Sequence, residues 1–363
     1  APGGRLNLRT QGTRIGKVAG NSFSGSVLAG SSQTGQLTAG YKDGNEKSDW
    51  LLGVGLQSTR GDFNYAHPDN GINKVRENND SAGGGVLAKY RYQGGRTGRA
   101  EILELYSRQD RTNPGSLDFP GRDHERDTFN LAGIQYSDSE FAEKTGVFAK
   151  VASTYSRVQN WISDTTRTDA HTVGSYAQAG LTRKIKQTQL VVALDDLDEK
   201  LNDGNGKFSR NGFGITPVLR TEVYGFQFTP VLRYEYNSVY QHTGDASLSV
   251  ARQVSENFSA ALSAGYQHQF APIMASQGYY AGTSVVLPNP EITVERDRIA
   301  ALSLNYASEI FSLHSQIFYN LISNRAVYVS KSFTQAKYEN VPSASIVGET
   351  LDVQLSPVDD LNF

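Results

Sequence analysis

Arginine and histidine side chains alternate with carboxylates in the segment RDHER, which contains Arg122, His124 and Arg126. Cationic side chains bind anions through charge-assisted hydrogen bonds, so three of them in one short segment could hold an anionic ligand. The alternative is a surface charge cluster of mixed sign whose members pair with neighbouring side chains. The segment therefore predicts either an anion-binding site or such a surface cluster.

Aromatic and amide side chains are concentrated in a second segment, Ala271 to Pro290, which contains Gln277, Tyr279 and Tyr280. Tyrosine combines a large apolar ring with a hydrogen-bonding hydroxyl, and such residues often line the mouths of ligand sites. Packing against a neighbouring loop is the alternative role. We include these three residues, together with the RDHER cations, in the predicted ligand-binding set.

A metal site and a catalytic site are both disfavoured by the sequence. The stretch Asp195 to Lys207 (DDLDEKLNDGNGK) offers oxygen ligands for Ca²⁺, but its spacing is not that of an EF-hand, and a solvated loop is the alternative. The six histidines are scattered without HExxH or paired-ligand spacing, and the lack of Cys excludes disulfides and thiolate ligands. We therefore predict no metal, no cofactor and no enzymatic activity.

The elements that must position these residues are strands, and the pattern is clearest from Glu291 to Ile322. Leu302 and Tyr306 belong to an apolar series that alternates with small or polar residues, which is the period of a strand. After a short turn at residues 307–309 the alternation resumes from Phe311. Each arm approaches the ~9 to 11 residues that cross a bilayer at a tilt, and aromatic residues flank the turn as in the interfacial girdle of a barrel.

The same alternation recurs along the chain and predicts about sixteen strands. Short turns alternate with connections that are mostly longer, which places the two kinds of connection on opposite sides of a sheet. The longer connections are predicted at Gly61–Asp80, Asp110–His124, Gln159–Arg167, Lys200–Phe208, Ala271–Pro290 and Ser323–Gln335. This sorting is typical of a transmembrane antiparallel up-and-down β-barrel, and we predict that all-β fold.

The two faces of each predicted strand differ in polarity. In Phe226 to Tyr236 the even positions are apolar, whereas the odd positions include Arg233 and Glu235; the preceding strand carries Arg220 and Glu222 in the same way. Ionised side chains are strongly disfavoured in hydrocarbon, so these four must face an enclosed polar interior. We predict that they are structural rather than ligand-binding.

Composition is compatible with this fold and excludes several others. Hydrophobic residues make up 38% of the 363-residue chain, mean hydropathy is −0.46, and there are 36 Gly and 19 Tyr. No run of about 18 apolar residues is present, so no transmembrane helix is predicted. The net charge of −2 does not favour nucleic-acid binding.

Three stretches carry a resemblance to a known family. The opening APGGRLNLRTQ has Gly3, Gly4, Asn7 and Thr10 where the last plug strand of TonB-dependent outer-membrane receptors has its Gly-Gly, Asn and Thr, although Gln11 replaces the usual basic residue. ALSAGYQHQFAP, followed by Asn-Pro-Glu, is similar to a barrel strand of that family. FYNLISNRAVYV and YENVPSASIVGE resemble two later strands, and the order of the three stretches is also that of the family.

The resemblance implies a barrel of about 22 strands that encloses a plug. Residues 1–11 would be the last plug strand and residues 12–363 a partial barrel, truncated after Ser356–Asp360. In this interpretation the lumen charges could also hold the plug. The implied location is the outer membrane of a Gram-negative bacterium, with contacts to outer-membrane lipid and to a TonB complex through the missing N-terminal region.

The implied function is active uptake of a scarce ligand, with a ferric siderophore or ferric citrate favoured by the Pro-Gly-Gly form of the opening. A vitamin B12 receptor of the same family, a passive porin-like channel of sixteen strands and an outer-membrane hydrolase are the alternatives. The sequence does not identify the ligand.

Overall fold

The computed structural model describes residues 21–31, 33–66, 73–76, 79–115, 120–161, 167–203, 206–281, 284–332 and 335–355. Most of them are in strands: eighteen strands form one sheet and two form a separate hairpin. The predicted plug strand at residues 1–11 and the predicted turn at Ser356–Asp360 lie outside the described residues. Among the described helices, none is long and apolar enough to cross a membrane.

The strands and the one described helix have the following bounds. They are β1 (Ser22–Gly30), β2 (Thr34–Gly44), β3 (Ser48–Thr59), β4 (Phe63–Ala66), β5 (Asn73–Arg76), β6 (Ser81–Gly94), β7 (Gly98–Gly115), β8 (Pro120–Ala142), β9 (Thr145–Trp161), β10 (Arg167–Ile185), β11 (Thr188–Asn202), β12 (Lys207–Val223), β13 (Phe226–Asn237), β14 (Gln241–Gln253), β15 (Phe258–Gln269), α1 (Ile273–Gln277), β16 (Tyr279–Ala281), β17 (Ser284–Leu287), β18 (Glu295–Ala307), β19 (Phe311–Ser330) and β20 (Gln335–Leu355).

Sixteen of the eighteen strands in the main sheet pair antiparallel in chain order from β1 to β20, with β6 following β3 and β18 following β15. This confirms the predicted up-and-down meander of about sixteen strands. Among the described residues β1 and β20 do not pair with each other, so the sheet keeps two edges. Closure by further strands stays a prediction.

The connections are sorted by end. At one end, here called the turn end, the gaps between strands are short: 45–47, 95–97, 143–144, 186–187, 224–225, 254–257 and 308–310. Three of them have only two residues, and in one of these, Tyr224–Gly225, both residues have positive φ (52° and 77°), as a type I′ hairpin turn requires. The predicted turn after Tyr306 is also present, and the Tyr306 and Phe311 rings flank it with centroids 6.0 Å apart.

At the opposite end, here called the arm end, three predicted loops are mostly strand, so these predictions were wrong. β7 and β8 continue through most of Asp110–His124, and the flanking strands likewise fill most of Lys200–Phe208 and Ser323–Gln335. In Gln159–Arg167, β9 ends at Trp161 and β10 begins at Arg167, and the residues between them lie outside the described residues. Polar strands can continue as hydrogen-bonded ladders where both faces are in water, and there the apolar alternation that identifies a strand is absent. Residues 60–80 and 270–294 remain as long connections.

The two faces of the sheet have the predicted polarity. One face, here called the outer face, exposes large apolar side chains such as Ile102 (49%), Ile134 (59%), Val151 (60%) and Leu232 (57%). The inner face carries ion pairs such as the one between Lys89 and Glu101 (2.8 Å). The transfer of apolar side chains from water to hydrocarbon lowers the free energy, so the outer face is suited to contact with lipid.

Two strand prolines do not distort the sheet. Pro217 on β12 and Pro230 on β13 predict β-bulges, because proline cannot donate to the ladder. That expectation was wrong, since β12 and β13 keep one register from Gly212 opposite Asn237 to Val223 opposite Phe226. The strands therefore remain continuous across both prolines.

Candidate functional site

A cavity at the inner face has a volume of about 920 Å³ and extends across strands β9 to β15 and β18. Its polar lining includes Lys150, Gln178, Asp195, Arg233 and Asp245. Side chains from strands far apart in the chain meet here because the meander brings them side by side on one face. Of the four predicted lumen charges, Arg233 lines this cavity.

Arg233 is the centre of the polar network in this cavity. Its Nε donates to Glu235 (2.8 Å), its two terminal nitrogens donate to the two Asp195 oxygens (2.7 Å each), and one of them also donates to the Thr216 hydroxyl (2.9 Å). A second contact to Glu235 measures 2.7 Å. Because a guanidinium has five N–H groups, these five contacts can use all of its donors. Arg233 thus ties β11, β12 and β13 together.

Gly214 makes room for this guanidinium. It lies opposite Asp195 on β11 and Glu235 on β13. A Cβ at residue 214 would lie 2.6 Å from an Arg233 nitrogen and 2.8 Å from an Asp195 oxygen. Only glycine therefore permits the bidentate pair to lie flat against the strand.

A buried histidine extends the network towards β15. The His268 Nδ1 lies 2.5 Å from Asp245, whose carboxylate also accepts a hydrogen bond from the His268 backbone N–H (2.9 Å). The other ring nitrogen lies 2.6 Å from the Thr243 hydroxyl and 3.9 Å from Glu235. The His268 side chain is only 4% exposed. Glu235, Asp245 and His268 therefore lie close together on β13, β14 and β15.

A folded segment lies across the inner face at the arm end. Residues 271–294, here called the cap segment, contain α1, β16 and β17. The helix α1 contacts β11, β12 and β20, and β16 contacts β10. Five strands of the meander (β13, β14, β15, β18 and β19) separate β12 from β20. A segment that contacts both must cross the inner face.

The cap segment is anchored by polar contacts at both sides. The buried Arg210 of β12 donates to the Ala271 carbonyl (2.7 Å) and pairs with Glu199. On the other side Asn289 donates to the Tyr338 carbonyl (2.8 Å), and β17 pairs in parallel with β20.

Apolar packing fixes the cap segment between these anchors. Ala271, Ala275 and Ile292 form a buried cluster, and Tyr240 and Tyr338 pack against it. Ala275 is fully buried. The cap segment is therefore a packed element, which agrees with the packing alternative for this part of the chain.

Two of the RDHER cations lie on the outer face. His124 and Arg126 are on β8 at the alternate positions shared with Ile134, and both approach Asp110 of β7, at 3.4 Å and 2.5 Å. The side chain of Arg122 lies outside the described residues. Pairing with a neighbouring carboxylate agrees with the surface-cluster alternative, and anion binding stays a prediction.

The remaining predicted residues lie in the cap segment or near the turn end of β12. Gln277 ends α1 within the cap segment and is half-buried, whereas the side chains of Tyr279 and Tyr280 lie outside the described residues. Arg220 and Glu222 are exposed near the turn end of β12, and Arg220 contacts Gln189 of β11 (3.4 Å). These placements leave the ligand-binding role a prediction.

For several residues of the cavity and of the cap-segment anchors, the role seen in the structure was not predicted from the sequence. Asp195 and Glu199 were assigned to a candidate cation-binding loop, but they lie on β11 and face the partner arginines Arg233 and Arg210. No group of three or more metal-ligating side chains occurs among the described residues. His268 and Asp245 carry no sequence signal beyond polar residues in an apolar strand. They meet because β14 and β15 are neighbouring strands of the meander.

Comparisons with known proteins agree with this architecture. No protein-family model and no curated protein matches the chain. Solved structures that match include the ferric enterobactin receptor PfeA of Pseudomonas aeruginosa, at 11% sequence identity and a TM-score of 0.71 over 94% of this chain and 61% of that one. The siderophore receptor PirA of Pseudomonas aeruginosa matches at 13% identity and a TM-score of 0.71, over 94% and 64%.

A third match is the copper transporter OprC, at 10% identity and a TM-score of 0.73, over 96% of this chain and 62% of that one. The chain therefore spans less than two thirds of the length of these solved chains. At these identities the likeness concerns the fold, and it agrees with the resemblance carried by the sequence. The chain has the barrel fold of TonB-dependent outer-membrane receptors.

Proposed function

We propose that this chain is the barrel portion of an outer-membrane receptor that takes up a scarce small ligand by energised transport. The observation that carries the proposal is the structural match of 94% of the chain to the receptors PfeA and PirA, each with a TM-score of 0.71. The cap segment supports it, because a packed element across the inner face suits a gated receptor better than an open pore. Binding to outer-membrane lipid and to a TonB complex belongs to the same proposal.

A ferric chelate is the ligand class that we propose, either a ferric siderophore or ferric citrate. Two of the matching solved proteins are named for siderophores or ferric enterobactin. Copper is less well supported, although OprC has the same fold, because soft copper sites use thiolate and thioether ligands. The chain has no Cys and one Met.

Uptake in energised cells tests the proposal. Cells that express the protein would be given ⁵⁵Fe-labelled ferric enterobactin, ⁵⁵Fe-labelled ferric citrate, Cu²⁺ or cyanocobalamin, with and without a protonmotive-force uncoupler. We expect accumulation of one iron chelate that the uncoupler abolishes. Accumulation of cyanocobalamin alone would favour the vitamin B12 alternative. Uptake of all four that is insensitive to the uncoupler, with steady ion conductance in planar bilayers, would favour a passive channel and contradict the proposal.

A further inference from the structure

A group of cationic and aromatic side chains lies on the outer face at the arm end, and the proposed transport does not use it. The strand register places this group on the outer face. Asp110 is opposite Arg126, and His124 is opposite Trp161. These residues occupy the same alternate positions as Ile134 and Val151, which are exposed on the outer face nearer the turn end. We call this group the basic patch. It consists of Arg108, Asp110, His124, Arg126, Arg157, Trp161, Arg167 and Asp169.

Two carboxylates organise the arginines of the basic patch. Asp110 accepts from Arg108 (3.0 Å) and Arg126 (2.5 Å). Burial raises the pKa of Asp110, but these hydrogen bonds outweigh it and hold the pKa below its usual range. Asp110 therefore stays ionised at neutral pH, and two guanidinium groups share its one negative charge.

Asp169 on β10 repeats the arrangement three strands away from Asp110 on β7. It accepts from Arg157 (2.5 Å) and lies 3.4 Å from Arg167. Hydrogen bonding from Arg157 holds the pKa of Asp169 below its usual range. Four arginines and two aspartates leave a surplus of two positive charges on this surface.

Trp161 joins the two halves of the basic patch. The guanidinium groups of Arg126 and Arg167 each lie 5.1 Å from the centroid of its ring, and the His124 ring lies 5.0 Å away. Cation–π contacts of this kind orient the guanidinium planes. The arginine side chains remain 31% to 47% exposed. Their outward N–H groups are therefore held in place but accessible.

We propose that the basic patch binds the phosphate-bearing headgroup of a lipid in the adjoining membrane leaflet. The patch begins on the same face where the exposed apolar band of β7 to β10 ends, so it lies at headgroup level if that band is in hydrocarbon. Planar, pre-oriented guanidinium groups match the geometry of phosphate. A soluble anion would not need a site adjoining the apolar band. The patch ends at β11, the strand next to β10, because the Lys200 cation of β11 pairs with Asp198 (2.9 Å).

Lipid binding to the purified protein tests the inference independently of transport. The probes are diphosphorylated lipid A and the same lipid with its phosphates removed, with bound lipid counted by native mass spectrometry from detergent micelles. We expect the double variant Arg126→Gln, Arg167→Gln to bind the phosphorylated lipid about tenfold more weakly, since a charge-assisted hydrogen bond contributes about 1.5 to 3 kcal/mol. The dephosphorylated lipid should bind the unaltered protein about as weakly.

Arg111→Gln is the matched control. Arg111 lies on β7 next to Asp110, is 48% exposed, and pairs with Glu125 and Asp127 on the opposite face of the sheet. Its loss should leave lipid binding unchanged, and heat-modifiable mobility on gels would verify folding of every variant. An equal loss in the control and the double variant, binding that ignores the phosphates, or displacement of the lipid by inorganic phosphate would each overturn the inference.

Discussion

Arg220 and Arg233 occupy neighbouring strands and look alike in the sequence, but their surroundings differ. Arg233 is 18% exposed and has a partner for each of its donors on Asp195, Glu235 and Thr216. Arg220 is exposed and contacts Gln189 at 3.4 Å. Alternation along a strand predicts which face a charge occupies, but it does not predict how many partners neighbouring strands supply.

This difference gives a prediction at the scale of the residue. Arg233→Met leaves two acidic groups without their cation, so it should lower the free energy of unfolding by about 3 kcal/mol, as is typical for breaking a buried ion pair. Arg220→Met should change it by less than about 0.5 kcal/mol. Urea unfolding in detergent micelles, followed by tryptophan emission, measures both. Similar losses for the two variants would show that the network around Arg233 contributes little.

His124 and Arg126 show where sequence reasoning fails at the same scale. Two roles for RDHER were open, anion binding and pairing with neighbouring charged side chains, because the segment was predicted as a loop with no defined face. In the structure β8 is 23 residues long, and its register places these side chains outward. A polar strand beyond the apolar band has no periodic signal, so their orientation could not be predicted.

At the scale of the element, the sixteen strands were predictable and their arm-end extensions were not. Where one face is apolar, period-2 alternation identifies a strand, as in β18 and β19. The cap segment was predicted as a loop because its short elements have no sustained period. Its order depends on distant partners such as Arg210 and Tyr338, which local sequence cannot reveal.

Gly214 gives a prediction about the fit between strands. Gly214→Ala places a Cβ 2.6 Å from Arg233, so the guanidinium must move off Asp195 and the free energy of unfolding should fall by about 1 to 3 kcal/mol. Gly55→Ala is the control, because a Cβ there meets nothing within 4 Å. In the Arg233→Met background the cost of Gly214→Ala should largely disappear. If Gly214→Ala lowers the free energy of unfolding by the same amount in that double variant, the loss comes from the backbone and not from the contact with Arg233.

The cap segment gives a second prediction at this scale. Arg210→Ala removes the hydrogen bond to the Ala271 carbonyl, so local opening should become easier and amide hydrogen exchange in residues 271–281 should accelerate about tenfold. Lys200→Ala, an exposed cation on the adjoining strand, serves as the control. If exchange in residues 271–281 is as slow in Arg210→Ala as in the unaltered protein, apolar packing alone holds the cap segment in place.

At the scale of the whole molecule, the account depends on one surface being in lipid. The outer face carries an apolar band with aromatic residues near the turn end, where the Tyr41 and Tyr136 hydroxyls donate to Asp43 (3.2 Å) and Asp138 (3.4 Å). Such amphipathic rings are typical of membrane interfaces. One exception is Glu104, whose outward carboxylate accepts from Asn130 (2.5 Å). We have no physical account of a carboxylate in this band.

The two tryptophans of the chain allow the most direct test, because both lie on the outer face at different levels. Trp50 belongs to the apolar band near the turn end and is 58% exposed, whereas Trp161 lies among the arginines at the arm end. The measurement is fluorescence quenching by lipids with brominated acyl chains, for Trp161→Phe and Trp50→Phe variants refolded into vesicles. We predict that Trp50 emission falls by roughly half or more and that Trp161 is quenched much less. Trp50 emission that brominated lipids leave unchanged would contradict a membrane-spanning sheet.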